Sequence, residues 1–275
     1  MKVGNLSTFL SMQTFTKLSI ITICFNNLEE VKATCDSVDK QIIPPFEHLI
    51  INGSTNDDIE KYFEKSKEIP FRKVINESDK GIADAFNKGI ESSSGDLIVL
   101  LNSGDLLYDE NVVKIVLSKF DQDKSLMWLH GKYRYQRSGV WVTLGKPFDP
   151  KKLYRGMRSL SHQTMYVRRE LYDKYGLYDN SFKIAMDFDF VARIRFERFL
   201  FLNAILAINV PGGISTERYN LALKEAGIVV KKYLGFSWKN KLWTLRLKTL
   251  KTIQDIPVIG RILYKIKVAM GLANA

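Results

Sequence analysis

The chain has 275 residues, of which 45% are hydrophobic and 26% charged, and its formal net charge is +11 at pH 7. This composition is typical of a globular protein and excludes a disordered chain, a collagen-like repeat and a disulfide-rich scaffold. The two cysteines, Cys24 and Cys35, and three histidines do not have the spacing of a structural zinc site, which needs about four clustered ligands. We expect both thiols to be reduced and buried.

The positive charge is concentrated near the C-terminus. From Ile228 onward the chain has ten Lys and Arg residues and a single acid, Asp255. This segment therefore has a net charge of +9, and the rest of the chain has +2. Apolar residues recur at helical spacing from Trp238, and again beyond Pro257. Such basic amphipathic helices predict contact with an anionic membrane surface, the alternative being helices packed on the body with a solvated lysine face. We expect no nucleic-acid partner, because the body has no recognition-helix or RNA-stacking motif.

No segment has the pattern of a signal peptide or a membrane-spanning helix. The first 17 residues lack a continuous apolar stretch. The longest uncharged run, residues 199–216, contains two asparagines, a proline and a glycine pair, and its apolar part falls short of the roughly 20 residues that cross a bilayer. We expect a helix end there, followed by a core strand and a turn, and we predict a cytoplasmic protein at the inner face of the membrane.

The first half of the chain alternates between strand-like and helix-like segments. The strand-like segments are residues 18–24, 48–51, 71–75 and 97–101, and the helix-like segments lie near 28–38, 57–67, 82–90 and 112–120. This alternation predicts an α/β domain with a largely parallel sheet, which binds ligands at the carboxyl ends of its strands. The loops at those ends are 24–27, 52–57 and 102–105. In the second half we predict a hairpin within 126–144, a strand at 163–167 and helices at 168–175 and 187–198.

Two common nucleotide-binding motifs are absent. The turn after the first strand, residues 24–27, has no glycine, which argues against a dinucleotide-dependent dehydrogenase and a glycine-rich pyrophosphorylase. The stretch from Gly139 to Lys146 has one residue too many for a P-loop, and Pro147 stands where a hydroxyl would ligate magnesium. The chain instead has Asp105 next to a glycine at the end of a buried strand. A carboxylate at such a position can hold a divalent cation, the alternative being that it only caps the next helix.

Five segments, in order, resemble the family 2 glycosyltransferases with the GT-A fold, particularly the branch that makes bacterial surface polysaccharides. They are LSIITICFNN (18–27), EHLIINGSTND (47–57), SDKGIADAFNKGIESSSGDLIVLLNSGD (78–105), SHQTMYVRRELYDKYGLYD (161–179) and AMDFDFVARI (185–194). The resemblance implies a GT-A domain over residues 18–216, with a nucleotide-binding half (18–120) and an acceptor half (121–216). Residues 1–17 then form an N-terminal extension, and residues 217–275 a basic amphipathic helical tail.

The resemblance also implies a nucleotide-sugar donor site. Cys24, Phe25 and Asn26 would line the base, with Phe25 as a stacking face. The resemblance implies UDP as the nucleotide. Asn52 replaces the Asp with which the family contacts base or ribose, and because an amide donates as well as accepts, this departure affects which base is preferred. His162 would contact the diphosphate or the acceptor, the alternative being a structural histidine. The other implied donor-site residues are Ser54, Asp79, Asp84, Asn87, Asn102 and Gly104.

For the chemistry, the resemblance implies that Asp105 occupies the DxD-type position and holds a divalent cation, Mn²⁺ or Mg²⁺. Asp187 matches the catalytic base, with Asp189 as the trailing acid and Met186 in place of the usual Glu; from spacing alone Asp187 would be a helix N-cap. We expect inverting transfer to a hydroxyl of a lipid-linked glycan acceptor, with Asp105 and Asp187 in one cleft. The alternative is a non-catalytic nucleotide-sugar-binding or assembly protein. The Asn52 substitution favours it, as does a DxD-type motif in which only Asp105 keeps the carboxylate. The retention of Asp187 in the base position argues against it.

Overall fold

The computed structural model describes residues 15–137, 140–157, 160–209 and 217–255. The strands are β1 (Leu18–Cys24), β2 (Glu47–Asn52), β3 (Arg72–Asn76), β4 (Leu97–Asn102), β5 (Leu106–Leu107), β6 (Trp128–Arg137), β7 (Val140–Leu144), β8 (Tyr166–Arg168) and β9 (Phe199–Asn209). The helices are α1 (Leu28–Asp39), α2 (Asp58–Lys65), α3 (Ile82–Ser92), α4 (Val112–Gln122), α5 (Arg169–Tyr175), α6 (Met186–Ile194), α7 (Tyr219–Leu234) and α8 (Trp238–Asp255). Two 3₁₀ turns cover Pro150–Arg155 and His162–Thr164.

Strands β1 to β4 form the parallel half of the sheet that the sequence predicts. β1 lies between β2 and β4, and β3 extends the sheet beyond β2. β1 is buried along its whole length, as expected of a central strand with helices on both faces. In this register Cys24 is opposite Asn52, and Ile23 is opposite Asn102. The polar loops that follow the three strands therefore meet at one edge of the sheet.

Helices cover both faces of this sheet, which gives the predicted three-layer α/β domain. Alternate side chains of a strand point to opposite faces. Ile21 and Ile23 share one apolar cluster with residues of α3, α6 and α7. Ile20 lies in a second cluster, with Val113 and Phe120 of α4.

The second half of the chain continues the sheet with antiparallel pairing. β8 pairs with β4 and with β6, and β7 pairs with β6 as the predicted hairpin. β9 runs parallel to β6, from the Trp128–Phe199 pair to the Tyr135–Asn209 pair. The helix end that we expected at the start of the 199–216 run is therefore wrong: the strand begins at Phe199, because its backbone pairs along β6. The expected turn after Asn209 lies outside the described residues.

The C-terminal helices contact the body of the protein. Val229 and Val230 of α7 are buried in the main core, and α8 lies against the turn Pro150–Arg155. Trp243 Nε1 donates to the carbonyl of Arg155 at 3.1 Å. None of the helices in the described ranges is long and apolar enough to span a membrane. The second amphipathic helix, expected beyond Pro257, lies outside those ranges, and the division into domains at residues 17, 120 and 216 stays a prediction.

We expect Gly89→Ala to lower the free energy of unfolding by about 1–3 kcal/mol, because close-packed cores do not accept an added methyl group without strain. α3 lies so close to β1 that a β-carbon at Gly89 would be 2.3 Å from Cγ2 of Ile21. The matched control is Gly227→Ala in α7, where the nearest atom, Oδ1 of Asn240, is 3.9 Å away and alanine should stabilise the helix by about 1 kcal/mol. Urea unfolding measures both, and changes of the same sign would contradict the packing described here.

Candidate active site

The loops after β1 and β2 are joined through Asn26. Its backbone has φ of 54°, in the left-handed region that asparagine tolerates better than most residues. Its side-chain Oδ1 accepts from the backbone N–H of Thr55 at 3.0 Å, and its own N–H donates to Oγ of Ser54 at 2.9 Å. Phe25, next to it, is 57% exposed. The loop pair is thus held by hydrogen bonds, while one aromatic ring is left accessible for stacking.

Asn52, at the end of β2, is engaged within the protein. It is only 5% exposed. Its Oδ1 accepts from the backbone N–H of Ser54 at 3.1 Å and lies 3.7 Å from the Cys24 thiol, and its Nδ2 donates to Oδ1 of Asn76 at 2.8 Å. These contacts fix the amide orientation and support the loop. A direct contact between Asn52 and a nucleobase stays a prediction.

The carboxylate of Asp79 lies against the same loops. A β-carbon at Gly53 would be 1.9 Å from Oδ2 of Asp79, so only glycine leaves room for this carboxylate. Its Oδ1 accepts from the backbone N–H of Gly81 at 2.8 Å. Burial, and the nearby thiol of Cys35 and carboxylate of Asp79, raise the pKa of Cys24 to about 12. Cys24 is therefore a neutral thiol at pH 7. The carboxyl group beside it, at the end of β1 and β2, is that of Asp79.

The two predicted donor-site residues on α3 have different surroundings. Asp84 accepts from the backbone N–H of Lys80 at 2.9 Å and lies 3.6 Å from the ammonium of Lys88. Asn87 is buried, and its amide both donates to the carbonyl and accepts from the N–H of Tyr178, each at 2.9 Å. Asn87 thus holds the loop that leads towards α6. A role of either residue in donor binding stays a prediction.

The turn after β4 presents Asp105. Gly104 has φ of 93°, which favours glycine, and its N–H donates to Oγ1 of Thr34 at 2.8 Å. Oδ2 of Asp105 accepts from the backbone N–H of Asn102 at 3.1 Å, and the side chain is 6% exposed. The carboxylate is therefore held in a fixed position by the turn that the sequence Asn-Ser-Gly-Asp forms.

His162 brings this turn next to α6. Its Nε2 lies 3.9 Å from Oδ2 of Asp105, and its Nδ1 lies 3.9 Å from Oδ2 of Asp187. Nδ2 of Asn102 is 3.2 Å from Nε2. Desolvation lowers the pKa of His162 to about 4, so the ring is neutral at pH 7. Because the amide nitrogen of Asn102 only donates, Nε2 accepts and the ring proton is assigned to Nδ1, which faces Asp187.

Asp187 lies in the first turn of α6. Desolvation raises its pKa to about 6, although its Oδ1 accepts from the backbone N–H of Phe188 at 2.7 Å. The side chain is 27% exposed, so it remains accessible from solvent. Asp189, two residues on, is 1% exposed and forms ion pairs with Arg193 at 3.1 Å and Lys232 at 2.9 Å. Asp187 therefore has the exposure and the pKa of a general base near neutral pH, whereas Asp189 is enclosed by its ion pairs.

The side chains at this edge fit a divalent cation that is bound together with a diphosphate. The described parts of the chain contain no group of three His, Cys, Asp or Glu side chains that would hold a metal ion by themselves. Asp105 supplies one carboxylate. Mg²⁺ in proteins commonly uses one or two carboxylates and completes its coordination with water and substrate phosphates. This donor set therefore suits a cation that arrives with the substrate.

Several residues that support the site were not found from the sequence. Nδ2 of Asn27 donates to Oγ of Ser103, which joins the loops after β1 and β4. Glu225 of α7 accepts hydrogen bonds from the backbone just before α6. The only sequence signal for Glu225 is an acid among apolar residues of an amphipathic helix, and that pattern does not indicate its partner.

The comparisons with known proteins agree with this geometry. The family model described as "Glycosyl transferase family 2" matches residues 19–186. An uncharacterized glycosyltransferase of Mycobacterium tuberculosis is 33% identical over 178 residues, which are 64% of this chain and 68% of that protein. A "PGL/p-HBAD biosynthesis glycosyltransferase" of Mycobacterium bovis is 26% identical over 180 residues, again covering 64% of this chain and 68% of the relative.

Solved structures share the fold at low sequence identity. The TarS 1–349 structure from S. aureus has a TM-score of 0.58 and 18% identity, and the match covers 79% of this chain and just under two thirds, 66%, of that one. The mannosyltransferase PcManGT from Pyrobaculum calidifontis, in complex with GDP-Man and Mn²⁺, has a TM-score of 0.61 and 13% identity over 94% of this chain and 82% of that one. Given the family match over residues 19–186, the chain belongs to glycosyl transferase family 2, and it is a glycosyltransferase with the GT-A fold.

Proposed function

We propose that this enzyme transfers a sugar, with inversion, from a nucleoside-diphosphate sugar to a hydroxyl of a glycan acceptor, and that Asp187 is the base. The observation that carries the proposal is the convergence of Asp105 and Asp187 on opposite sides of His162, each carboxylate 3.9 Å from the ring. These acids are far apart in the sequence, and Asp187 is the more exposed of the two, at 27% against 6% for Asp105.

In this reaction Asp187 takes the proton of the acceptor hydroxyl as its oxygen attacks the anomeric carbon. The new carbon–oxygen bond forms as the bond to the diphosphate breaks, and the nucleoside diphosphate leaves with that electron pair from the opposite face. A base with a pKa of about 6 is deprotonated at pH 7 and still accepts a proton in the transition state.

The donor is proposed to be a nucleotide sugar, with UDP as the first choice. The exposed ring of Phe25 offers a stacking surface, and Asp79, which lies against Gly53 in the loop after β2, supplies a hydrogen-bond acceptor. Among the structures with this fold, TarS 1–349 was solved in complex with UDP-GlcNAc and PcManGT with GDP-Man. Both ligands are sugar nucleotides, which supports the class of donor, while they differ in the base.

We propose Asp105 as the protein ligand of a divalent cation, Mn²⁺ or Mg²⁺. The PcManGT structure holds Mn²⁺ together with its GDP-Man. When bound, such a cation neutralises negative charge on the departing diphosphate. The part of Asp105 is to hold a carboxylate at a fixed position in the turn after β4.

The acceptor is proposed to be a lipid-linked glycan of the cell surface, met at the inner face of the cytoplasmic membrane. The name of the M. bovis relative refers to PGL/p-HBAD biosynthesis. On α8, Trp238, Leu242 and Leu245 are 60%, 57% and 61% exposed. Lysines and arginines on the same helix surround these apolar side chains, which is the pattern of a helix that lies in an anionic membrane interface.

We expect Asp187→Asn to lower the transfer rate by about 10²–10⁴-fold, because the acceptor hydroxyl loses its base. Donor binding, measured by calorimetry, should be unchanged. In the native enzyme kcat should rise with pH and be half-maximal near pH 6, since only the deprotonated carboxylate is active. Asp173→Asn, at an exposed position on α5, is the control and should behave as the native enzyme.

A native enzyme that binds the donor but neither transfers nor hydrolyses it would favour the non-catalytic alternative. Full activity of Asp187→Asn would remove this residue as the base. Thermal unfolding excludes misfolding as the cause of lost activity. Because desolvation disfavours the charged carboxylate, the Asn variant should be more stable at pH 7, by about 1–3 kcal/mol at about 1.4 kcal/mol per pKa unit, and the gain should disappear below about pH 4.

We expect EDTA to abolish transfer and Mn²⁺ to restore it. Asp105→Asn should raise the Mn²⁺ concentration needed for half-maximal activity by at least tenfold, because the amide loses the negative charge that attracts the cation. Activity is measured across a Mn²⁺ titration, again with Asp173→Asn as the control. Transfer that is insensitive to EDTA would contradict the metal role of Asp105.

We expect replacement of Trp238, Leu242 and Leu245 by serine to weaken binding to vesicles with 30% anionic lipid by at least tenfold, as the buried apolar area is lost. High salt should weaken native binding as well. The matched control replaces Ile42, Ile43 and Phe46, which are also exposed, by serine. Sedimentation with vesicles measures both, and equal binding by the two triple variants would contradict a membrane role for α8.

A further inference from the structure

We propose that α7 is part of the catalytic apparatus, and that Glu225 is a positioning residue which holds the Asp187 base in place. The proposal rests on the role of Asp187 proposed above. It assigns a catalytic task to a helix that lies beyond residues 19–186, the segment matched by the family model. The sequence pattern indicated only a basic tail there.

The first observation is a carboxylate bound to three successive backbone amides. Glu225 Oε1 accepts from the N–H of Lys183 at 3.0 Å, and Oε2 accepts from those of Ile184 at 2.8 Å and Ala185 at 2.9 Å. Glu225 is 6% exposed. Hydrogen bonds to an ionised acceptor are stronger than neutral ones, and a buried carboxylate needs them. The loop before α6 is therefore fastened to α7.

This carboxylate lies at the N-terminus of α6. Ala185 is the N-cap residue of α6, and its methyl side chain cannot accept a hydrogen bond there. Glu225 places a negative charge at this helix N-terminus, where the helix dipole favours it. Asp187 follows Ala185 by two residues, so the position of its carboxylate depends on how the first turn of α6 is held.

The second observation is another link between the same two helices, on the other side of Asp187. Asp189 is 1% exposed, and its Oδ1 accepts from Nζ of Lys232 at 2.9 Å and from the hydroxyl of Tyr233 at 3.1 Å. Lys232 is two turns beyond Glu225 on α7. The helix thus contacts the chain just before and just after Asp187.

These two links leave little freedom to the first turn of α6. Val229, between them on α7, is fully buried in the main core, so α7 itself is anchored. A catalytic group displaced by about 1 Å can cost about 10²-fold in rate. Loss of Glu225 should therefore act on the chemical step, while the donor loops at the ends of β1 and β2 remain as they are.

The experiment is Glu225→Gln, which keeps the shape of the side chain and removes its charge. We expect kcat to fall 10- to 100-fold, KM for the donor to change less than twofold, and the pH midpoint of kcat to move away from that of the native enzyme. The control is Val116→Ala in α4, which loosens the second apolar cluster, whose described members include no residue of α6 or α7. At an equal loss of melting temperature it should keep native kcat and the native pH midpoint.

Lys232→Met, at a half-exposed position, removes the ion pair between Lys232 and Asp189. It is the second test variant, to be used if Glu225→Gln does not fold. We expect kcat to fall 3- to 10-fold with KM unchanged. Native kcat in every folded variant of Glu225 and Lys232 would overturn the proposal, as would an equal loss of kcat in Val116→Ala. If instead Asp187→Asn keeps full activity, the proposed base itself is wrong, and this outcome is distinguishable because Glu225 is not altered in that variant.

Discussion

The neutral ring of His162 separates two carboxylates in a site that is largely closed to water. Without it, Asp105 and Asp187 would face each other as like charges, and one of them would tend to be protonated. Each carboxylate lies 3.9 Å from a different ring nitrogen, so the ring keeps the two acids out of direct contact. The proposed division into a cation ligand on the turn after β4 and a base on α6 depends on this spacing.

Two acids in one short motif have different surroundings. Asp189 is buried and forms ion pairs with Arg193 and Lys232. Asp187 has no cation at hydrogen-bonding distance among the contacts described for it, and desolvation raises its pKa to about 6. The paired acid joins α6 to α7, and the unpaired one remains available for proton transfer.

The C-terminal helices connect the proposed membrane surface to the proposed base. α8 carries the exposed Trp238, Leu242 and Leu245, and α7 carries Glu225, Lys232 and the buried Val229. The basic side chains of the C-terminal segment therefore do not all face solvent alone. One of them, Lys232, forms an ion pair with the buried Asp189.

The sequence by itself determined the alternation of strands and helices, the polar loops at the ends of β1, β2 and β4, and the candidate acids Asp105 and Asp187. These follow from local periodicity and from motif order, which do not require knowledge of distant contacts. The strand at Phe199 was missed because only its pairing along β6 distinguishes it from a helix end. The contact of Asn52 with Asn76, and that of Glu225 with residues 183–185, only the tertiary structure decided, because each joins residues that are 24 and 42 positions apart in the sequence, respectively.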